Sequence, residues 1–185
     1  MLNTVFQDTQ EKMGKAVEAL KAELQKVRTG RASATMLDPV RVDYYGTLTP
    51  LHQMASISTP ESRLLVVQPW DATALKEIEK GILRANLGLT PSNDGKVIRI
   101  SIPPLTEERR KDIVKQVGKT CEEYKVGIRN LRRDANEMLK SLKKDGDISE
   151  DEMFKGQDQI QKMTDEHIRT TEDLQKAKEK EILEF

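Results

Sequence analysis

Arg129, Arg132 and Arg133 crowd into one short run, Ile128-Arg129-Asn130-Leu131-Arg132-Arg133-Asp134-Ala135-Asn136. A guanidinium is planar, always charged, and offers a rigid fork of donors that fits two oxygens of a phosphate or carboxylate. Three of them within little more than a helical turn could grip a polyanion. The run lies in a segment whose apolar residues recur by threes and fours: Ile113, Val117, Cys121, Tyr124, Ile128, Leu131, Ala135, Met138, Leu142. That spacing predicts a long helix packed along a heptad seam. At about 100° per residue, Arg132 flanks the seam, while Arg129 and Arg133 point outward. Lys125, Asn136, Lys140 and Lys143 fall near the same outer stripe, Glu122 interrupts it, and Glu137 is placed to pair with Arg133.

Other groups that could do chemistry are poorly placed for it. Gly118-Lys119-Thr120 looks like the end of a phosphate-binding loop, but that motif needs a glycine where Ile113 stands and a loop between strand and helix. Here it lies inside the predicted helix. His52 and His167 are the two histidines and Cys121 the one cysteine, too few ligands for a metal site, and none is expected. Glu150-Asp151-Glu152 and Asp165-Glu166 read as helix-start acids and a solvated face. No paired catalytic groups stand out, so neither an enzyme nor a cofactor is expected.

Charge supports a localised field. The 185 residues sum to zero, yet residues 106–144 hold twelve basic against seven acidic side chains, a net of +5. Residues 145–185 hold six against thirteen, a net of −7, and residues 1–30 and 31–105 are each +1. One basic helix suits a polyanion bound on one side. An arginine-rich helix could also dock an acidic protein surface, so a coiled-coil interaction or chaperone-like module stands as the alternative. A lone seam cysteine fits a reducing compartment, and no segment approaches the roughly 20 apolar residues of a membrane span. A cytoplasmic protein is expected.

Three helices must position the stripe. The first is predicted over residues 3–28, with Phe6, Met13, Val17, Leu20, Leu24 and Val27 as its seam and Gly30 as its stop. The second begins after Pro103-Pro104, with Thr106 as N-cap and Glu107 and Glu108 in its first turn. It ends at Lys143-Lys144-Asp145-Gly146. Ser149 and Glu152 have capping-box spacing for the third, whose seam runs through Met153, Ile160, Met163, His167, Leu174 and Ala177. The short joint between the second and third requires an antiparallel hairpin. At 1.5 Å per residue the helices reach roughly 39, 58 and 54 Å, which predicts an elongated three-helix bundle.

Between the first and second helices the period changes. Residues 40–45 precede Gly46 and are followed by residues 48–54, and strong strands rich in β-branched residues are predicted over residues 63–69 and 96–102. Asp71 or Thr73 can cap a helix through Leu75, Ile78, Ile82 and Leu83, and Asn93-Asp94-Gly95 marks a turn. The expected fold is therefore α+β: a bundle of residues 1–30 and 106–185, with a small, strand-rich α/β domain of residues 31–105 inserted. Only two chain crossings join them, which predicts a hinge at Gly30, Arg31, Pro104 and Leu105 and rotation of one domain against the other.

Ordered motifs in both domains carry a family likeness. They are Lys26-Val27-Arg28-Thr29-Gly30-Arg31-Ala32, Thr59-Pro60-Glu61, Gln68-Pro69-Trp70-Asp71, Ile78-Glu79-Lys80-Gly81-Ile82 and Ala85-Asn86-Leu87-Gly88-Leu89-Thr90-Pro91-Ser92. Ile102-Pro103-Pro104-Leu105-Thr106-Glu107-Glu108-Arg109-Arg110 and the arginine run complete the set. Over essentially its full length the chain resembles bacterial ribosome recycling factors.

The resemblance implies a translation factor, not itself an enzyme. It would bind the large ribosomal subunit after termination and split the post-termination complex together with elongation factor G and GTP. The bundle would lie on ribosomal RNA, the inserted domain would face the translocase, and the protein would act as a monomer. Carried onto this sequence, RNA contact falls first on Arg132, then Arg129, then Arg133. A hinge-side set, Arg28, Arg31 and Arg110, matches the family's motifs as well.

Overall fold

A computed structural model describes residues 1–184 and divides the α+β chain into two compact units, Met1–Val27 with Glu107–Glu184 and Arg28–Thr106. In chain order the elements are α1 (Leu2–Gln25), β1 (Arg41–Tyr44), β2 (Thr47–Pro50), β3 (Ala55–Glu61), β4 (Leu64–Pro69), α2 (Leu75–Arg84), β5 (Pro91–Asn93), β6 (Ile98–Ser101), α3 (Glu107–Lys144) and α4 (Glu150–Glu184).

α1, α3 and α4 make the first unit, with 24, 38 and 35 residues. Their rise gives about 36, 57 and 52 Å. The α3–α4 hairpin closes on a complete capping box: the Glu152 amide donates to Ser149 Oγ at 3.1 Å, and the Ser149 amide donates to Glu152 Oε2 at 2.7 Å. α1 packs on both partners and runs antiparallel to α3. Val5 lies with Leu139 and Met153 in one buried cluster, and Met13 and Val17 lie with Ile128 in another. α1 ends at Gln25, short of the expected Arg28. Its last carbonyls are met at once, because Lys26 donates to Glu23 O and Val27 to Leu24 O. It needs no glycine stop, and Gly30, at φ +85°, serves the connection instead.

Two seams depart from the expected residues. On α3 the buried line runs Ile113, Val117, Cys121, Ile128, Ala135 and then Leu139, while Met138 is exposed. A straight helix drifts about 20° per heptad against a strict 3.5-residue repeat, so over several heptads the inward position slips by one. On α4, Thr164 and Thr171 are fully buried where sequence favoured Met163 and His167, which are half-buried, and Ala177 is exposed. The threonines enter the core because their hydroxyls are satisfied locally: Thr164 donates to Ile160 O at 2.8 Å and Thr171 to His167 O at 3.0 Å.

The second unit holds a four-stranded antiparallel sheet in the order β3-β4-β6-β5 and a separate β1–β2 hairpin. Val42, Leu65, Val67, Ile78, Ile82, Ile98 and Ile100 fill its core. α2 lies directly on the hairpin at Gly81, where a Cβ would stand 3.0 Å from Arg41 O. β3 and β5 were not expected. β3 is Ser- and Thr-rich and ends in Thr59-Pro60-Glu61, and β5 is three residues long, so neither shows the β-branched run that marks β4 and β6.

Candidate nucleic-acid interface

The arginine run sits where α3 is fully helical, between the buried seam residues Ile128 and Ala135. Arg129 and Arg132 are half-buried and Arg133 is exposed. Each guanidinium has a different neighbour. Arg129 Nη1 lies 3.1 Å from Glu122 Oε1, two turns back on the same helix. Arg132 Nη1 donates to the neutral Gln161 Oε1 of α4 at 3.3 Å, and Gln161 Nε2 donates in turn to Asp165 Oδ1 at 2.9 Å. Arg133 has no acidic partner among the described residues, because Glu137 pairs with Lys140 at 3.0 Å instead. The expected Arg133–Glu137 pair is thus replaced by an i,i+3 pair on the same helix face.

Two members of the supposed outer stripe turn inward. The Lys125 side chain is only 13% exposed and its ammonium reaches Glu172 of α4 at 3.3 Å, so it ties the two helices together. Asn136 has a buried Oδ1. Lys140 stays outside, while Lys143 pairs with Glu150 at 3.5 Å. Exposed pairs of this kind contribute about 0–1 kcal/mol, so they orient side chains without locking them. Phosphate oxygens could replace Glu122 on Arg129 and add to Arg132 and Arg133 at little cost.

The hinge-side arginines are divided between the units. Arg110 lies on the first turns of α3, with its Nε buried and without a hydrogen-bond partner among the described residues. It stands 22 residues before Arg132, roughly 33 Å along the helix. Arg28 and Arg31 are exposed in the other unit. There a Cβ on Gly30 would lie 3.5 Å from Leu105 Cγ, so the two connections touch. Beyond them the chain is pinned, as the Ala32 amide donates to Ser62 O at 2.7 Å and the Ile102 amide to Arg63 O at 2.8 Å. Pro104 is exposed.

Sequence reasoning missed Gln161 and Glu172. Both lie on α4, and only the register of the hairpin brings them to Arg132 and Lys125. Gly118-Lys119-Thr120 adopts regular helix, not a cradle of backbone donors. His167 Nδ1 is 2.7 Å from Met163 O. Cys121 is fully buried, and burial pushes its thiol pKa up. Among the described residues no group of three or more His, Cys, Asp or Glu side chains is placed to hold a metal ion, and no helix is long and apolar enough to cross a membrane.

Comparison with known proteins agrees across the chain. The family model for ribosome recycling factor matches residues 20–183. Ribosome-recycling factors of Desulforapulum autotrophicum and Desulfosudis oleivorans are 64% and 65% identical over 185 residues, covering all of both chains. A solution structure of ribosome recycling factor aligns with a TM-score of 0.76 at 42% identity, covering 100% of this chain and 98% of the other. The T. thermophilus ribosome recycling factor, in models that place it with E. coli elongation factor G on the E. coli post-termination complex, aligns with a TM-score of 0.64. It is 48% identical, with 99% of each chain covered.

Proposed function

The chain belongs to the ribosome recycling factor family, and on that premise we propose that it grips ribosomal RNA through the arginine row of α3. It is a translation factor that recycles ribosomes after termination, acting on the large subunit together with elongation factor G and GTP. The nucleotide is hydrolysed by the partner, in keeping with the helical Gly118-Lys119-Thr120.

One observation carries the RNA assignment. Arg132 is oriented by a neutral amide, Arg133 has no acidic partner among the described residues, and Arg129 is held by one exchangeable carboxylate. Arg132 leads because it is already positioned and has no charge to displace. Arg129 follows, since phosphate must compete with Glu122. Arg133 comes last, because an unrestrained arginine loses up to about 2 kcal/mol of rotamer freedom on fixing. Arg110, Arg28 and Arg31 extend the contact toward the connections.

The inserted unit faces the translocase in this reading. Among the described residues the chain crosses between units at Val27–Arg28 and Thr106–Glu107. Rotation about Gly30, Arg31, Pro104 and Leu105 converts the translocase's push into strain on the subunit joint. Solution scattering and independent crystal forms that all return one inter-unit angle would refute the rotation.

The test of the grip is binding of Arg132→Gly to purified 50S subunits. Losing a charge-assisted contact of about 1.5–3 kcal/mol weakens binding roughly 10- to 150-fold. The slope of log affinity against log salt falls by roughly one. Glycine also costs about 1 kcal/mol of helix stability, so Arg132→Gln serves as the control that keeps the helix. If both variants bind and recycle normally, the grip is misassigned, and salt-insensitive binding of the wild type would favour docking on an acidic protein.

A further inference from the structure

The inserted unit leaves the chain's single tryptophan in water: Trp70 is 69% exposed. Isolated exposed apolar residues are ordinary, but this one borders a cleft of about 300 Å³. Tyr44 and Thr49 of the β1–β2 hairpin line it together with Gln53, Met54, Trp70, Asp71 and Ala74. A volume at the lower end of the range for small-ligand sites suits one side chain better than a cofactor.

Among the described residues the only formal charge lining the cleft is Asp71. Its Oδ1 accepts from the Thr73 amide at 3.0 Å and the Thr73 hydroxyl at 2.6 Å, and its Oδ2 accepts from the Tyr44 hydroxyl at 2.8 Å. A carboxylate has about four acceptor positions, so one on Oδ2 stays open. The Thr73 hydroxyl and then Tyr44 hold the Asp71 carboxyl below the usual range, so it is ionised at neutral pH. The Tyr44 phenol, held by the same bond, is pushed up to about 12 and remains a donor.

We propose that this cleft receives an arginine side chain of a partner protein, its stem on Met54 and Ala74, its guanidinium between the Trp70 ring and the open position of Asp71 Oδ2. Arginine fits because it stacks on an indole face while donating to a carboxylate in its plane. Exposed tryptophans beside pockets are also frequent anchors of protein interfaces. A nucleic-acid strand could stack a base on Trp70, but its phosphates would meet Asp71 with no basic residue lining the cleft. The site is separate from the arginine row, which belongs to the other unit.

Trp70 emission of the full-length protein reports the site directly, as no other tryptophan contributes. The probes are a capped tripeptide with central arginine, its citrulline counterpart (same shape, no charge) and oligouridylate. The arginine peptide gives a saturable change at about millimolar concentration, as befits one side chain. Citrulline binds about tenfold more weakly, and so does the arginine peptide to Asp71→Asn, as for a charged against a neutral hydrogen bond. Asp71→Asn binds 50S subunits like the wild type. Equal binding of citrulline and arginine, no saturable change, or tighter quenching by oligouridylate overturns the proposal. So does a matching loss of 50S binding in Asp71→Asn. The citrulline comparison in the wild type holds whether or not the variant folds.

Discussion

Leu139 and Gly156 fix how closely α3 approaches α4, and a mutant cycle on this pair tests the packing that presents the arginine row. Leu139 is fully buried, and a Cβ on Gly156 would lie 3.1 and 3.4 Å from its two terminal methyls and 3.6 Å from Phe6 Cζ. Leu→Ala in a core costs about 2–5 kcal/mol. Here the facing residue has no side chain to collapse into the hole, so about 3–4 kcal/mol is expected. With a urea slope of about 1.5 kcal/mol/M for a bundle of this size, the midpoint falls by about 2–2.7 M. Gly156→Ala alone gains about 1 kcal/mol of helix propensity and loses about 1–3 kcal/mol to crowding. It is neutral or destabilising. With Leu139 already alanine the crowding is gone, and the same change stabilises by about 1–2 kcal/mol, from propensity and a buried methyl. The sign of Gly156→Ala therefore reverses between backgrounds. Far-UV circular dichroism follows the helices during urea unfolding, and Trp70 emission follows the inserted unit. Equal shifts for Gly156→Ala in both backgrounds would refute the contact and the register that brings Gln161 to Arg132.

Two further outcomes follow from the charges. Glu122→Gln frees Arg129 from a half-exposed pair worth about 0.2–1 kcal/mol, so 50S affinity at low salt rises about 1.4- to 5-fold; a fall in a filter-binding titration would contradict the competition. Asp94 is held down to about 2, first by the Val97 and Lys96 amides and then by Arg99. Its folded pKa lies below an unfolded value of about 3.9, so its stabilisation is complete above about pH 4 and vanishes as pH falls through 2. Urea midpoints of the inserted unit should drop over that window in the wild type and less in Asp94→Asn, and parallel curves for the two would count against it.

Much of this was legible in the sequence because helices of this length repeat their pattern many times. The capping box at Ser149 and Glu152, the hairpin at Gly146 and the run of arginines are local features that tertiary context did not alter. What failed depended on another segment. Met138 and Leu139 are equally apolar, and only accumulated helical drift decides which faces α4. Thr164 and Thr171 look like surface residues until their hydroxyls turn back on their own helix. β3 earns its place by pairing with β4, not by its own composition. Likewise, the partners of Arg132 and Lys125 sit on a helix 29 and 47 residues away.

That last dependence explains how a strongly acidic helix can lie against a basic one without cancelling it. Two acids of α4 that cross to α3 meet lysines: Glu172 takes Lys125 and Glu150 takes Lys143. Lys140 is taken by Glu137 of its own helix. Opposite Arg132, α4 presents the amide of Gln161 instead, and Asp165 is engaged by that amide's nitrogen. A carboxylate at position 161 would form a charge-assisted pair, which is roughly twice as strong as a neutral hydrogen bond. Phosphate would then have to break it. Gln161→Glu is therefore expected to weaken 50S binding while leaving the bundle as stable or slightly more so, since a half-exposed pair adds about 0–1 kcal/mol. The opposite substitution of charge, Gln161→Lys, adds a cation beside the row and should steepen the salt dependence. If Gln161→Glu binds 50S subunits as tightly as the wild type at every salt concentration, Arg132 is not where the phosphate sits.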